Sequence, residues 1–300
     1  MRRAVRYLAA GILAVALAEP AAAQRGVLRG VMRAAGGAAV NSFTVGVEKE
    51  REIGLNVAAT VAGRWHVVSN DSLNGYVNLV GAVVAMQSPR STEIPFRFAV
   101  LDTDDVNAFA APGGWIFVTR GALDMMESEA ELAGVLGHEV AHVDEKHVLD
   151  AMRKANMMQG ARTEADLNGF LMDQLAGQLT SVIFKGLATP DELESDSLGM
   201  LYAAGAGYRP DGLLNFVRKL QAGESNAGKR RFLSDLKATH PPVGDRIAAL
   251  ERQASSEHLN MAQGQVLADR FRRYVRRQTA QPAATPAARP ATRPAGRTRP

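Results

Sequence analysis

A capped helical segment that carries two histidines four residues apart constrains this chain more than any other feature. Ser128 and Glu131 have the spacing of a capping box, in which the two side chains satisfy each other's backbone donors at a helix start. Apolar residues follow at helical spacing, so we predict a helix over residues 129–149. Inside it stands His138-Glu139-Val140-Ala141-His142, which places both imidazoles on one face.

This motif has the chemistry of a zinc hydrolase. Both imidazoles can reach one ion at the usual zinc–nitrogen distance of about 2.0–2.1 Å. Glu139 lies off that axis but close enough to take a proton from water that the ion acidifies. We therefore predict one Zn2+ per chain on His138 and His142, with Glu139 as catalytic base; buried structural histidines are the alternative. His147 is turned off this face of a continuous helix and is predicted to lie at the surface or behind the ligands.

A catalytic zinc ion needs a third protein ligand, and residues 192–196 offer acids at helical spacing. Glu192 can bind the metal while Asp196, four residues on, holds a ligand histidine through its other ring nitrogen. Glu194 faces elsewhere and ranks second. Thr189 and Glu192 also fit a capping box, which would instead commit Glu192 to the backbone. The spacing favours the ligand role for Glu192 without excluding these alternatives.

The composition limits the other chemistries. The chain has no cysteine, which excludes thiol nucleophiles, disulfides and cysteine-bound metal clusters, so any metal must bind His, Asp or Glu. Its 300 residues are 46% hydrophobic, which is enough to bury a full core. Although the net charge is +4, three arginines near the start and six beyond residue 275 account for this excess. The stretch between them is mildly acidic, so a nucleic-acid partner is not supported.

Both ends of the chain differ in composition from its middle. Residues 1–23 combine three arginines, an apolar run over residues 7–18 and the small residues Ala21-Ala22-Ala23, which predicts a secretory signal and a periplasmic location in a Gram-negative cell. An uncleaved membrane anchor is the alternative. Residues 279–300 consist almost entirely of Pro, Ala, Arg and Thr, which predicts a disordered tail. We expect the tail to be a solvated spacer; peripheral contact with an anionic membrane or with the cell wall is the alternative.

Periodicity predicts a mostly helical chain with a small sheet, an α+β class. The remaining predicted helices cover residues 48–62, 70–87, 165–185, 190–204, 211–220 and 259–277, and the predicted strands cover residues 96–101 and 115–119. Residues 152–185 are rich in methionine and form either part of the core or a mobile lid.

The chain resembles the gluzincin zinc metallopeptidases grouped with HtpX, BepA and the CAAX prenyl endopeptidases, in their soluble periplasmic branch. The matching stretches, in order, are residues 107–110, 112–114, 131–133, 138–142, 192–196 with Gly199, 207–210 and 239–242. The likeness runs from about Glu48 to Leu250 and implies a zincin-like metallopeptidase domain, with Glu192 as the third ligand. We predict that this domain covers residues 24–278. Ser195 departs from the alanine that is usual there, and no transmembrane segments flank the motif, which sets the membrane-embedded branches apart.

The same resemblance implies how a substrate is held. Trp115–Thr119 looks like the edge strand along which such enzymes bind an extended polypeptide through main-chain hydrogen bonds, with weak side-chain selectivity. An interior strand is the alternative. His240 resembles a histidine that approaches the active site, where it would stabilise the transition state or close the fourth zinc position. An ordinary turn histidine is equally consistent.

The expected activity is endopeptidase cleavage of misfolded or stalled envelope proteins, which is quality control by analogy with the periplasmic members. A latched, rarely cleaving chaperone or scaffold, which binds unfolded chains on its edge strand, is the alternative from another functional class. A metal hydrolase acting on bonds other than peptides is a third. The sequence leaves the oligomeric state and cleavage preference open.

Overall fold

A computed structural model describes residues 45–154, 187–224 and 242–275. The helices are α1 (Val47–Trp65), α2 (Asp71–Ala85), α3 (Arg120–Met125), α4 (Glu129–Asp144), α5 (His147–Lys154), α6 (Thr189–Gly205), α7 (Asp211–Glu224), α8 (Val243–Ser256) and α9 (Ala268–Tyr274), and the strands are β1 (Arg97–Leu101), β2 (Ala108–Ala111) and β3 (Trp115–Thr119). This mostly helical architecture with one small sheet confirms the predicted α+β class.

Several predictions fall outside the described residues and stay predictions: the signal at 1–23, the methionine-rich stretch beyond residue 154, the helix over 165–185, His240 and the tail at 279–300. Within the described ranges, no helix is both long and apolar enough to cross a bilayer.

The sheet corrects the prediction of the edge strand. Its order is β1-β3-β2, so β3 (Trp115–Thr119) is the central strand, parallel to β1 and antiparallel to β2. The edge nearest α4 is β2, a four-residue, alanine-rich strand that lacks a recognisable β pattern. A 3-10 turn over Pro112–Gly114, in which Gly113 and Gly114 have φ values of 70° and 88°, reverses the chain between β2 and β3.

Helix α4 is shorter than predicted. It ends at Asp144, and Lys146 adopts the left-handed conformation with φ of 56° before α5 begins at His147. The predicted helix over residues 129–149 therefore consists of two helices joined at a sharp bend. The bend changes the direction of His147 relative to the face that carries the two motif histidines. The residue spacing of a continuous helix could not predict this change.

The C-terminal part of the described chain also differs from its prediction. Residues 259–267 are not helical, and within the described part of the predicted helix over 259–277 the helix is Ala268–Tyr274. Conversely, α8 (Val243–Ser256) was not predicted, although it follows Pro242 and has a clear apolar side. It packs against α6 and α7. This missed helix contributes an arginine to the site described below.

Helix α4 lies at the centre of the described residues and is buried along its whole length, between β2, α2, α6 and α7. Its first turn is held by a buried carboxylate. Glu129 accepts hydrogen bonds from the hydroxyls of Tyr76 (2.9 Å) and Tyr208 (2.7 Å) and from Nε of Arg270 (2.6 Å). An acid at a helix N-terminus is also favourable for the helix dipole. These contacts tie α2, α9 and the loop before α7 to the start of the helix that carries the motif.

Candidate metal centre

Three buried side chains bring one ligand atom each to a common point. Nε2 of His138 lies 3.0 Å from Nε2 of His142, and the carboxylate of Glu192 lies 3.5 Å from the first and 3.6 Å from the second. Tetrahedral ligands at about 2.0–2.1 Å from a zinc ion are about 3.4 Å apart. The donor set, two imidazoles and one carboxylate, and its spacing therefore fit one zinc ion.

The two helices that supply these ligands touch at a pair of glycines. A Cβ atom on Gly199 of α6 would lie 2.5 Å from the backbone nitrogen of His138, and one on Gly137 of α4 would lie 2.7 Å from the carbonyl oxygen of Gly199. Real Cβ atoms do not approach so closely, so only glycine permits this crossing. The close approach is what lets Glu192, in the first turn of α6, reach the histidines of α4.

We expect Gly199→Ala to separate α4 from α6, to lower the free energy of unfolding of the metal-free protein by about 1–3 kcal/mol, and to weaken zinc binding. Urea unfolding and zinc titration would measure the two effects. Gly75→Ala is the matched control, because Gly75 is exposed inside α2 with nothing near its Cβ position, and the change should stabilise the protein slightly. Equal effects at both positions would contradict the close-packing argument.

The two rival roles for the acids near Glu192 do not appear in the structure. Helix α6 has Ala188 at its N-cap, and Thr189 lies inside the helix, so the predicted capping box does not form. Glu194 lies away from the ligand cluster, with Oε2 3.5 Å from Nε2 of His147. Glu192 is 1% exposed and points between the two histidines.

A buried ion pair stands behind His138. Its Nδ1 lies 2.9 Å from Oδ1 of Asp196, and Asp196 in turn accepts hydrogen bonds from Nε (2.8 Å) and a terminal nitrogen (2.6 Å) of Arg246. Burial alone would raise the pKa of Asp196, but the charge and hydrogen bonds of Arg246 outweigh it and lower this pKa to about 2. Asp196 is therefore a fixed anion that can orient the His138 ring with Nε2 toward the metal position.

Sequence reasoning missed Arg246, because it lies in the unpredicted helix α8, 50 residues after Asp196. Arg246 is 4% exposed. The signal that could have indicated it is a lone arginine on the apolar side of a short amphipathic segment, since a buried arginine requires an anionic partner.

Behind His142 the arrangement differs. Nδ1 of His142 lies 3.0 Å from Nδ1 of His147, and the hydroxyl oxygen of Ser195 lies 3.1 Å from the first and 3.2 Å from the second. His147 is only 2% exposed. Of the two predicted locations, the structure therefore places it behind the ligands, because the bend at Lys146 turns it back toward α4.

Glu139 is 3% exposed and lines a small cavity beside His138, together with Asn107, Leu213 and Arg246. Burial raises the pKa of its carboxyl; His138 opposes the shift and Glu192 adds to it, and the metal-free result is about 7. A bound cation would favour the carboxylate and lower this value. A carboxyl group in this range can both accept and return a proton near neutral pH.

Strand β2 runs alongside the ligands. Asn107 and Ala108 line the cavity that Glu139 shares with His138, and Ala110 and Ala111 line another beside His142. The backbone N–H of Thr119 donates to the carbonyl of Asn107, so the alternation of an antiparallel ladder directs the main-chain groups of Ala108 and Ala110 away from β3. The Ala108 N–H accordingly bonds to the Asn107 side chain, 2.9 Å away.

Comparison with known proteins identifies similar sequences. A family model described as Peptidase family M48 matches residues 71–254. Beta-barrel assembly-enhancing protease of Yersinia pestis is 25% identical over 229 residues, 71% of this chain and 45% of that protein. The protein of the same name from Escherichia coli (strain K12) is 24% identical over 225 residues, with the same coverage. Mitochondrial metalloendopeptidase OMA1 of Arabidopsis thaliana is 31% identical over 178 residues, 59% of this chain and 35% of that protein. The chain spans less than half the length of these curated relatives.

Proposed function

The chain belongs to peptidase family M48, and on that basis we propose that it is a zinc-dependent endopeptidase whose ion is held by His138, His142 and Glu192. The observation that carries the proposal is the convergence of these three side chains on one point, beside a buried glutamate and the edge of a sheet. The converging side chains, the buried glutamate and the sheet edge could each, taken alone, serve only the stability of the fold. Their combination provides the parts that hydrolysis of an extended polypeptide needs.

When bound, zinc acidifies water and polarises the carbonyl of the peptide bond. The chain's own residues then have separate roles. Glu139, buried beside His138, accepts the proton that water loses and delivers it to the nitrogen of the departing amine. Asp196, fixed by Arg246, keeps the imidazole of His138 in one orientation. Burial of the whole cluster strengthens these electrostatic interactions.

We propose that β2, and not β3, holds the substrate backbone. The main-chain groups of Ala108 and Ala110 point away from β3, and the strand lies beside both His138 and His142. An extended substrate segment would add to the sheet there through main-chain hydrogen bonds. Three of the four residues in β2 are alanine, so the strand itself offers little side-chain recognition, which favours unfolded chains of varied sequence as substrates.

The proposed substrates are misfolded or stalled envelope proteins, and the proposed location is the periplasm. The predicted signal over residues 1–23 supports export, and two relatives carry a name that refers to β-barrel assembly. In a deletion strain, envelope proteins should accumulate in a quantitative proteome comparison, and a strain that re-expresses the protein should reverse the change. An unchanged envelope proteome would count against these substrates.

The activity itself is tested on the purified protein by zinc content and casein cleavage. We expect about one zinc ion per chain, loss of cleavage after a chelator removes the ion, and recovery when Zn2+ is added back. Trypsin, which needs no zinc, run under the same chelator treatment, controls for effects on casein. Zinc binding without any cleavage would refute the peptidase assignment and leave a polypeptide-binding protein as the alternative.

A further inference from the structure

The two ligand histidines are supported in unequal ways. His138 has a carboxylate, Asp196, next to its second ring nitrogen. The second ring nitrogen of His142 instead lies next to Nδ1 of His147, at 3.0 Å, and the hydroxyl of Ser195, at 3.1 Å. A metal-binding histidine normally donates this N–H to an acceptor, which fixes its tautomer and ring orientation.

The contacts fit one pair of tautomers. If Nε2 of His142 binds the ion, Nδ1 carries the hydrogen and must donate it. It can donate directly to Nδ1 of His147, or to the Ser195 hydroxyl, whose own hydrogen then points at Nδ1 of His147, 3.2 Å away. In both arrangements Nδ1 of His147 is the final acceptor. This role requires the hydrogen of His147 to lie on Nε2.

Nε2 of His147 faces an acid. Oε2 of Glu194 lies 3.5 Å from it, which is longer than a normal hydrogen bond, so Glu194 acts on His147 mainly through its negative charge. Glu194 is 38% exposed at its side chain, whereas His147 is 2% exposed. Water can therefore replace much of the electrostatic stabilisation that Glu194 gives to His147. It has no access to the buried Nδ1 of His147, which faces His142 and Ser195.

We infer that His147 is a positioning residue for the metal centre: its Nδ1 accepts the hydrogen of His142, directly or through Ser195, and thereby fixes the ring that binds the ion. The inference rests on the proposed zinc role of His142. It gives Glu194, a rival candidate for the third ligand, a different role at the far side of His147. It also gives Ser195 a specific contact.

Two substitutions distinguish a role of His147 as a hydrogen-bond acceptor from a role in packing alone. His147→Asn keeps an oxygen close to the position of Nδ1, whereas His147→Phe keeps the ring volume and removes the acceptor. We expect His147→Phe to weaken Zn2+ affinity about 10–100-fold, and His147→Asn to stay within about threefold of wild type. A merely structural role would give the opposite order, because phenylalanine preserves the packing better.

The measurement is competition for Zn2+ between each protein and a chromophoric chelator, with unfolding of the metal-free protein recorded alongside. His258→Asn is the matched control, since His258 is exposed and its left-handed backbone (φ 52°) suits asparagine. If His147→Phe does not fold, His147→Leu removes the same acceptor with less volume. The absorption spectrum of the Co2+-loaded proteins gives an independent readout of ligand geometry, and we expect it to change in the apolar variants only.

The outcomes distinguish this inference from the proposed function. A wild-type protein that binds no Zn2+ would refute both. A wild-type protein that binds Zn2+ while His147→Phe and His147→Leu bind equally tightly, or His147→Asn loses as much affinity as His147→Phe, would overturn the role of His147 alone. Weaker Zn2+ binding by the apolar variants, with binding by His147→Asn and His258→Asn close to wild type, would establish it.

Discussion

Glu139→Gln is expected to keep its zinc and to lose cleavage activity by a factor of at least about 10²–10⁴. Glutamine has nearly the same shape as glutamate but cannot accept and return a proton, and Glu139 is not one of the three converging ligands. Casein cleavage and zinc content, measured on the same preparation, would show the two effects separately. The variant should also be at least as stable as wild type, because a buried carboxyl becomes a neutral amide.

The matched control for this change is Glu251→Gln, which alters an exposed glutamate that pairs with Arg218. It should leave cleavage and zinc content unchanged. The comparison also separates the two classes of function, because a chaperone or scaffold would still bind unfolded casein in the Glu139→Gln form and would show no loss of function. Residual cleavage close to the wild-type rate would rule out Glu139 as the base.

Arg246→Met is expected to cost about 3–5 kcal/mol of the free energy of unfolding, because it removes the guanidinium that pairs with the buried carboxylate of Asp196. Zinc affinity should fall too, since Asp196 orients His138. Urea unfolding of the metal-free protein at neutral pH would measure the first effect. Arg218→Met is the control for an exposed pair, in which both side chains are about half exposed, and should cost at most about 1 kcal/mol.

The pH dependence of this effect has a definite sign. The folded protein lowers the pKa of Asp196 from 3.8 to about 2, so the ion pair contributes its full stability above pH 3.8 and loses it as the pH falls toward 2. The difference between wild type and Arg246→Met should therefore shrink on acidification. Adding Asp196→Asn to Arg246→Met should restore part of the stability at neutral pH. A constant difference down to pH 2 would contradict the ion-pair explanation.

The local sequence determined which side chains converge at the candidate metal centre. His138 and His142 share a helical face because residues four apart do so in any α-helix, and the Ser128 cap marks where that helix begins. Glu192 and Asp196 follow the same rule on α6, which is why one reaches the ligand cluster and the other the back of His138. Repeating distances within one helix require no knowledge of the rest of the fold.

The tertiary structure decided what surrounds that centre. The single left-handed residue Lys146 brings His147 against His142. The order of the strands puts β2 rather than β3 at the edge, and α8 carries Arg246 to Asp196. Each depends on contacts between segments far apart in the chain, or on one backbone angle that packing selects. Periodicity describes one element at a time, so it predicted the three converging side chains and Asp196, but not Arg246, the contact of His147 with His142, or the strand beside them.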